Sequence, residues 1–192
     1  MGREFELKFS CSRESFDALL ARFAPMTPIA METTYYDTFD GKLSNRRWTL
    51  RRRFENGKSV CTLKTPAAGA GRQEWEVESS GIVGGIPKLC QLGAPILLME
   101  FTVSGVIAVC GAKFTRQAKL LEIPGAAVEL ALDEGCLTGG GREMPLLEVE
   151  VEVKSGSEEA AIAFAQSLAS EYGLTREFRS KHRRALGLAR GE

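Results

Sequence analysis

Residues 3–9 read REFELKF, and this stretch decides the fold class that the sequence predicts. Its charged side chains alternate with phenylalanine and leucine, and a period of two is typical of a β-strand with one polar and one apolar face. The polar face carries Glu4, Glu6 and Lys8. Whether that face lies in bulk water or inside the protein depends on the strands that follow.

The same alternation returns in the rest of the chain. Residues 33–66 are rich in aromatic and β-branched side chains, and Asn56-Gly57 is a strong signal for a two-residue hairpin turn. This spacing of short strands favours an antiparallel sheet. Further strands are predicted at residues 72–78, 106–115, 117–123, 128–133 and 146–153.

Helical periodicity is confined to a few segments. Ser10 or Ser12 is a candidate N-cap for an amphipathic helix that follows the first strand. A short helix is predicted at residues 86–92, and Ser157 is the N-cap of a longer one. A basic segment, residues 176–188, closes the chain and is predicted to be helical again.

The predicted architecture is α+β and mainly β. It is an eight-stranded antiparallel closed barrel with helices packed outside, formed by a single domain over residues 1–192. Helices on the outside require the apolar strand faces to point outward, so the charged faces would line the lumen. For any one strand taken alone, a solvated outer face is the simpler interpretation, because water screens the charges.

Composition excludes several classes of function. Lys plus Arg and Asp plus Glu both number 25, so we expect neither a nucleic acid nor a membrane as partner. The five cysteines are odd in number and lack a C-x-x-C spacing, which favours reduced thiols in a cytoplasmic protein. No signal sequence and no membrane span are predicted. The lone histidine, His182, is expected to have a structural or phosphate-adjacent role rather than that of a general base.

The predicted lumen combines carboxylates and bases. Carboxylates two residues apart on one strand face repel each other by roughly 2–3 kcal/mol at an effective dielectric constant near 20. Divalent cations would offset this repulsion, and a polyanion such as polyphosphate would neutralise the bases. Oxygen ligands without a histidine or cysteine set select Mg²⁺ or Mn²⁺. Beyond the first strand, the polar faces carry Arg51, Arg53, Thr62, Lys64, Glu74, Glu76, Glu78, Glu129, Asp133, Glu148, Glu150 and Glu152.

The motifs taken together resemble those of the CYTH superfamily of triphosphate tunnel metalloenzymes. In chain order they are the opening Glu-x-Glu-x-Lys, YYDT, LRRR, TLK, RQEWE, ELALDEG, LEVEVE and SKHRR. The resemblance extends from Arg3 to about Leu188 and implies a tunnel that binds a triphosphate and a divalent metal. Many bacterial relatives also carry a C-terminal helical domain, and this chain either lacks it or is part of a longer protein.

The resemblance also implies roles for individual residues. As metal-binding carboxylates it implies Glu4, Glu6, Glu148 and Glu150, with Asp133 and Glu152 as helpers. As a phosphate clamp it implies Lys8, Arg51, Arg53, Lys64, Arg116 and Lys181, with Arg72 and Arg184 as further members. The residues expected to act most directly in catalysis are Glu4, Glu6, Lys8 and Glu150. Arg52 lies between two clamp residues but is expected to point outward.

Several activities fit this resemblance. Hydrolysis of inorganic triphosphate to pyrophosphate and phosphate is the first expectation, because residues 33–53 look most like the bacterial inorganic triphosphatase branch. A class IV-type adenylate cyclase and a thiamine or nucleoside triphosphatase stay open on the same fold. A non-catalytic polyphosphate-binding module is a third alternative. We expect a small-molecule triphosphate as the partner, and we leave a homodimer open.

Overall fold

The computed structural model describes residues 5–67 and 72–192, and within them nine strands form one antiparallel sheet. The strands are β1 (Glu6–Ser10), β2 (Thr27–Asp37), β3 (Thr49–Glu55), β4 (Lys58–Pro66), β5 (Arg72–Glu78), β6 (Ile107–Ile123), β7 (Ala126–Gly139), β8 (Arg142–Gly156) and β9 (Thr175–Arg176). Their order across the sheet is β5-β4-β3-β2-β6-β7-β8-β1-β9. The predicted α+β, mainly β class is confirmed.

Six helices accompany the sheet in the described residues. They are α1 (Arg13–Arg22), α2 (Lys42–Asn45), α3 (Ile82–Gln91), α4 (Leu97–Thr102), α5 (Glu158–Tyr172) and α6 (Lys181–Arg190). Ser12 and Ser157 are N-caps, because each hydroxyl accepts a hydrogen bond from a backbone N–H in the first turn. In the part of the chain that the structure describes, no helix combines the length and apolar character needed to cross a membrane.

The sheet differs from its prediction in three ways. Within residues 5–67 and 72–192 it has nine strands rather than eight, and its edge strands β5 and β9 are not paired with each other there, so a closed barrel is not confirmed. The strands predicted separately at residues 106–115 and 117–123 form one strand, because Arg116 between them pairs with Ile29 on β2 and with Asp133 on β7. Pairing on both sides keeps β6 extended through this position. The local sequence does not predict this, because the pairing partners are distant in the chain.

Apolar side chains cover much of the outer, convex face of the curled sheet. Val149 and Val151 of β8 pack with residues of α1 and α5 in one core. Leu50 and Leu63 pack with residues of α3 and α4 in a second core. Since side chains alternate along a strand, the charged residues between them point to the concave side. The predicted facing of these strands agrees with the structure.

Helix α6 is an exception to the prediction that the helices pack outside. Its Ala185 is fully buried among concave-face residues that include Phe114 and Leu137. Gly139 permits this close approach, because a Cβ atom there would lie 2.3 Å from the carbonyl oxygen of Ala185. The helix therefore brings its first residues to the charged face of the sheet.

Asp37 of the YYDT motif anchors helix α2 and lies outside the charged cluster described below. Its buried carboxylate accepts hydrogen bonds from the backbone N–H groups of Thr38, Leu43 and Ser44 at 2.7, 2.9 and 3.1 Å. We expect Asp37→Ala to lower the free energy of unfolding by about 2–4 kcal/mol, because buried N–H groups lose their acceptor. Urea unfolding would measure this loss. The exposed Asp40→Ala is the control, and an equal loss there would contradict the anchoring role.

Candidate active site on the concave face

Strand register places charged residues of β1, β7 and β8 side by side. Lys8 pairs with Glu150, and one step along the sheet Asp133 pairs with Glu148. Residues directly opposite each other in antiparallel strands project from the same face of a sheet. These four side chains therefore share the concave face, with the apolar core on the other side of the strands.

Asp133, Glu148 and Glu150 form a buried carboxylate cluster on this face. Carboxylate oxygens of the three residues all lie within 4.8 Å of one another. The residues are 0%, 0% and 7% exposed, respectively. The family resemblance implied only a helping role for Asp133, but the structure places its carboxylate in the cluster together with those of the two glutamates.

Three cations neutralise the carboxylate cluster. Arg116 of β6 donates two hydrogen bonds of 2.8 Å to Asp133 and also pairs with a second member of the cluster. Lys181, the first residue of α6, forms ion pairs with all three carboxylates. Arg184, one turn later, pairs with Glu148. Helix α6 thus supplies two of the three counter-charges.

Burial and ion pairing shift the pKa values of these groups in different directions. Burial raises the pKa of Glu148 to about 7, although Lys181 opposes this shift. Burial would also raise the pKa of Glu150, but Lys181 and Arg116 hold it well below its ordinary value. In return, the carboxylates raise the pKa of Lys181 against the effect of burial. The lysine therefore stays charged beside the carboxylates.

Arg51 and Arg53 form a basic wall on the concave face of β3. Arg51 lies 3.6 Å from Glu74, whereas Arg53 has no ion pair among the described residues. The Nε atom of Arg53 is buried without a hydrogen-bond partner. Burial, together with the neighbouring charges of Arg51 and Arg116, lowers the pKa of Arg53 to about 10. Because a half-buried cation such as Arg53, without an ion pair among the described residues, is unfavourable, the basic wall is suited to an anionic ligand.

Three of the predicted metal ligands lie outside the carboxylate cluster or outside the described residues. Glu6 and Glu152 face each other across β1 and β8. Glu6 pairs with Lys8 at 2.5 Å, and Glu152 pairs with Lys154 at 2.8 Å. Glu4 falls outside the described residues. The metal-binding roles of these three residues stay predictions.

The remaining predicted clamp residues lie beside the basic wall. Lys64 pairs with a glutamate of β5 at 3.2 Å. The Arg72 guanidinium donates to the hydroxyl of Thr49 at 3.1 Å and to two backbone carbonyls. Arg52 points to the opposite face, where its guanidinium carbon lies 4.5 Å from the ring centre of Phe54. Arg52 is therefore separated from the charged face, as the alternation predicts.

His182 is a packing residue at the start of α6. Its ring centre lies 4.7 Å from that of Tyr35, and its Nδ1 atom lies 3.4 Å from the hydroxyl oxygen of Thr49. Burial, assisted by the nearby charge of Arg72, lowers the pKa of His182 to about 4. No sequence signal connected Tyr35 and Thr49 with the histidine, because both lie in distant strands. Together Tyr35 and Thr49 fix the position of His182, and His182 is the residue next to Lys181.

The lowered pKa of His182 predicts an acid-sensitive contribution to stability. Folding favours the neutral ring, so this contribution is complete above the ordinary pKa of 6.5 and is lost as the pH falls towards about 4. Between about pH 7.5 and pH 5, this group should remove roughly 2 kcal/mol from the free energy of unfolding. Urea unfolding of wild type and His182→Gln at both pH values measures the difference. Identical pH dependence in the two proteins would contradict the assignment.

Two grooves lie on the convex side of the sheet, away from these charges. They have volumes of about 500 and 400 Å³ and share Glu32 and Lys113 in their walls. These two side chains are exposed and lie 3.9 Å apart. Neither groove includes a member of the carboxylate cluster. The concave face, where buried ionisable groups converge, is therefore the stronger candidate for an active site.

The fold and the site together define a class of protein. In this class, an antiparallel sheet curls around a face that carries buried carboxylates and a basic wall. The chain belongs to the CYTH domain family, whose sequence profile matches residues 2–186. The resemblance indicated by the ordered motifs is therefore confirmed.

Comparisons with individual proteins agree with this membership. The chain is 28% identical to an inorganic triphosphatase of Haemophilus influenzae, over 96% of this chain and 54% of the relative, so it spans about half the relative's length. The PH1819 protein of Pyrococcus horikoshii has a TM-score of 0.63 at 24% identity, covering 96% of this chain and 99% of that chain. HpAC1 from Hippeastrum, described as an adenylyl cyclase candidate with a dominant triphosphatase activity, has a TM-score of 0.67 at 20% identity, covering 100% and 96%. These two structural likenesses show the fold alone.

Proposed function

We propose that this chain hydrolyses the terminal phosphoanhydride of inorganic triphosphate to pyrophosphate and phosphate, with the help of Mg²⁺ or Mn²⁺. The observation that carries the proposal is the half-buried Arg53, whose buried Nε atom has no hydrogen-bond partner; the residue has no anionic partner among the described residues and shares its face with the carboxylate cluster. A ligand suited to both Arg53 and the carboxylate cluster presents anionic oxygens to the arginine and brings a cation to the carboxylates. A metal-bound triphosphate does both, and the name of the Haemophilus influenzae relative supports the same reaction.

The carboxylate cluster fits a hard divalent cation. Its donors are carboxylate oxygens of Asp133, Glu148 and Glu150, close enough together to be shared by one ion. Oxygen donors of this kind are those that Mg²⁺ and Mn²⁺ prefer, whereas zinc favours nitrogen and sulfur ligands. When bound, the metal would neutralise charge on the phosphate oxygens and so favour attack at phosphorus.

Phosphoryl transfer requires mainly positioning and charge stabilisation from a protein. Arg51 and Arg53 would hold the phosphate chain along β3, with Lys8 of β1 on the same concave face. A carboxylate of that face would orient the attacking water. A covalent intermediate is not required, and Cys110, next to α6, is a poor nucleophile because burial raises its pKa to about 12.

Phosphate release from tripolyphosphate, ATP and thiamine triphosphate, measured side by side with Mg²⁺, Mn²⁺ or EDTA, tests the proposal. We expect metal-dependent release from tripolyphosphate and little release from ATP. Formation of cyclic AMP and pyrophosphate from ATP would assign the chain to the cyclase activity instead. Tight polyphosphate binding without turnover would indicate a binding module.

We place the reaction in the cytoplasm, because all five cysteines are free thiols.

A further inference from the structure

Lys181 occupies the position between the three carboxylates where a metal ion would bind. Its Nζ atom lies 2.8 Å from Asp133 and 2.7 Å from Glu150, and it also pairs with Glu148. Only 10% of the lysine side chain is exposed. An ammonium group at this position satisfies the same oxygens that a divalent cation needs. A metal and the lysine therefore compete for one site.

The charge balance strengthens this competition. Three carboxylates face three cations, Lys181, Arg184 and Arg116, so their formal charges cancel without a metal. A divalent ion that enters while all three cations remain would leave excess positive charge in a buried site, which is unfavourable. Metal binding thus requires that one of the cations moves away or gains an anion of its own.

Lys181 is the cation best able to move. Arg116 is fixed by its two parallel hydrogen bonds to Asp133, the strongest geometry for an arginine and a carboxylate. A lysine is a single point charge on a flexible stem, so it can exchange one set of oxygens for another with little rearrangement. Phosphate oxygens of a ligand held by the basic wall would provide the alternative set.

We propose that Lys181 is an internal counter-ion that keeps metal affinity low until a triphosphate draws it away. This inference rests on the function proposed above. Its consequence is that metal and triphosphate each raise the protein's affinity for the other, since coupling between two ligands is reciprocal. Lys181 then sets the order of binding by delaying the metal until substrate is present.

The test is a titration of the protein with Mn²⁺ alone, followed by the electron paramagnetic resonance signal of free Mn²⁺. Lys181→Gln is expected to bind Mn²⁺ about 10- to 100-fold more tightly than wild type, because it removes the competing charge. Lys181→Met is a second neutral variant that retains side-chain length beside the Phe114 ring, 5.2 Å from the lysine Nζ. Lys181→Arg keeps the positive charge and should stay close to wild type.

Arg184→Gln is the matched control within the same helix. It also removes one positive charge, but among the residues that the structure describes its side chain pairs with Glu148 alone, so its gain in Mn²⁺ affinity should be smaller. Folded Lys181→Gln and Lys181→Met proteins with wild-type Mn²⁺ affinity would overturn the inference. The phosphate-release assay of wild type reports separately on the proposed function. Metal-dependent turnover combined with unchanged Mn²⁺ affinity in both neutral variants would reject the counter-ion role and retain the triphosphatase.

Discussion

Glu150→Gln should lower the rate of tripolyphosphate hydrolysis by about 10²- to 10³-fold at saturating Mg²⁺ or Mn²⁺. The amide keeps the size of the side chain but removes the charge that Arg116 and Lys181 now share. It also removes one oxygen ligand with full negative charge from the site where the metal would bind. Steady-state phosphate release at several metal concentrations measures the loss.

Glu129→Gln is the control for this substitution. Glu129 lies on the same face of the sheet, where it pairs with Glu152 across the strands and lies 3.5 Å from Lys154. It is outside the carboxylate cluster, so its loss should change turnover by no more than about threefold. Thermal unfolding of both variants would establish that they fold. Near-normal turnover of Glu150→Gln would reject the metal-binding role of the cluster.

The facing of residues along the strands could be predicted because it depends on local alternation alone. Glu148 and Glu150 alternate with Val149 and Val151 in the sequence, and the valines lie in a core with α1 and α5. Once helices cover the apolar side, the glutamates have only the concave side left. The sequence therefore predicted the composition of the charged face, because strand period and hydrophobicity act together.

The position of helix α6 could not be predicted in the same way. Its amphipathic pattern is compatible with packing on either face of the sheet, and the choice depends on contacts between distant residues. Gly139 on β7 leaves the space that Ala185 fills. Neither residue indicates its partner in the sequence. The contact of Lys181 with all three members of the carboxylate cluster follows from this packing, whereas the resemblance implied only that Lys181 belongs to the phosphate clamp.

One edge of the sheet, strand β9, could not be predicted from the sequence either. Strand β9 has two residues and forms only because Phe9 and Ser10 of β1 offer a free edge to Arg176 and Thr175. A segment of this length carries no periodicity of its own. By contrast, the hairpin at Asn56-Gly57 was predicted from two residues, because both adopt the positive φ angles that this turn requires.

Arg53→Met should raise the KM for tripolyphosphate by roughly 10- to 150-fold, which corresponds to the loss of about 1.5–3 kcal/mol from a charged hydrogen bond. The same substitution should leave thermal stability unchanged or increase it. Arg53 is a half-buried cation without an ion pair among the described residues, and burial lowers its pKa, so its removal relieves an unfavourable charge. Steady-state kinetics and thermal unfolding of one preparation would measure both effects.

Arg52→Met is the matched control because it changes the next residue of the same strand. Arg52 lies on the convex face, with its guanidinium over Phe54 and a hydrogen bond of 3.3 Å to the Ser80 carbonyl. Its loss should lower stability slightly and leave KM within about twofold of wild type. Weaker substrate binding with undiminished stability is the result expected for a residue that binds substrate. Substitution of a structural residue would instead lower both substrate affinity and stability. Equal effects of the two substitutions on KM would show that facing on β3 does not determine triphosphate binding.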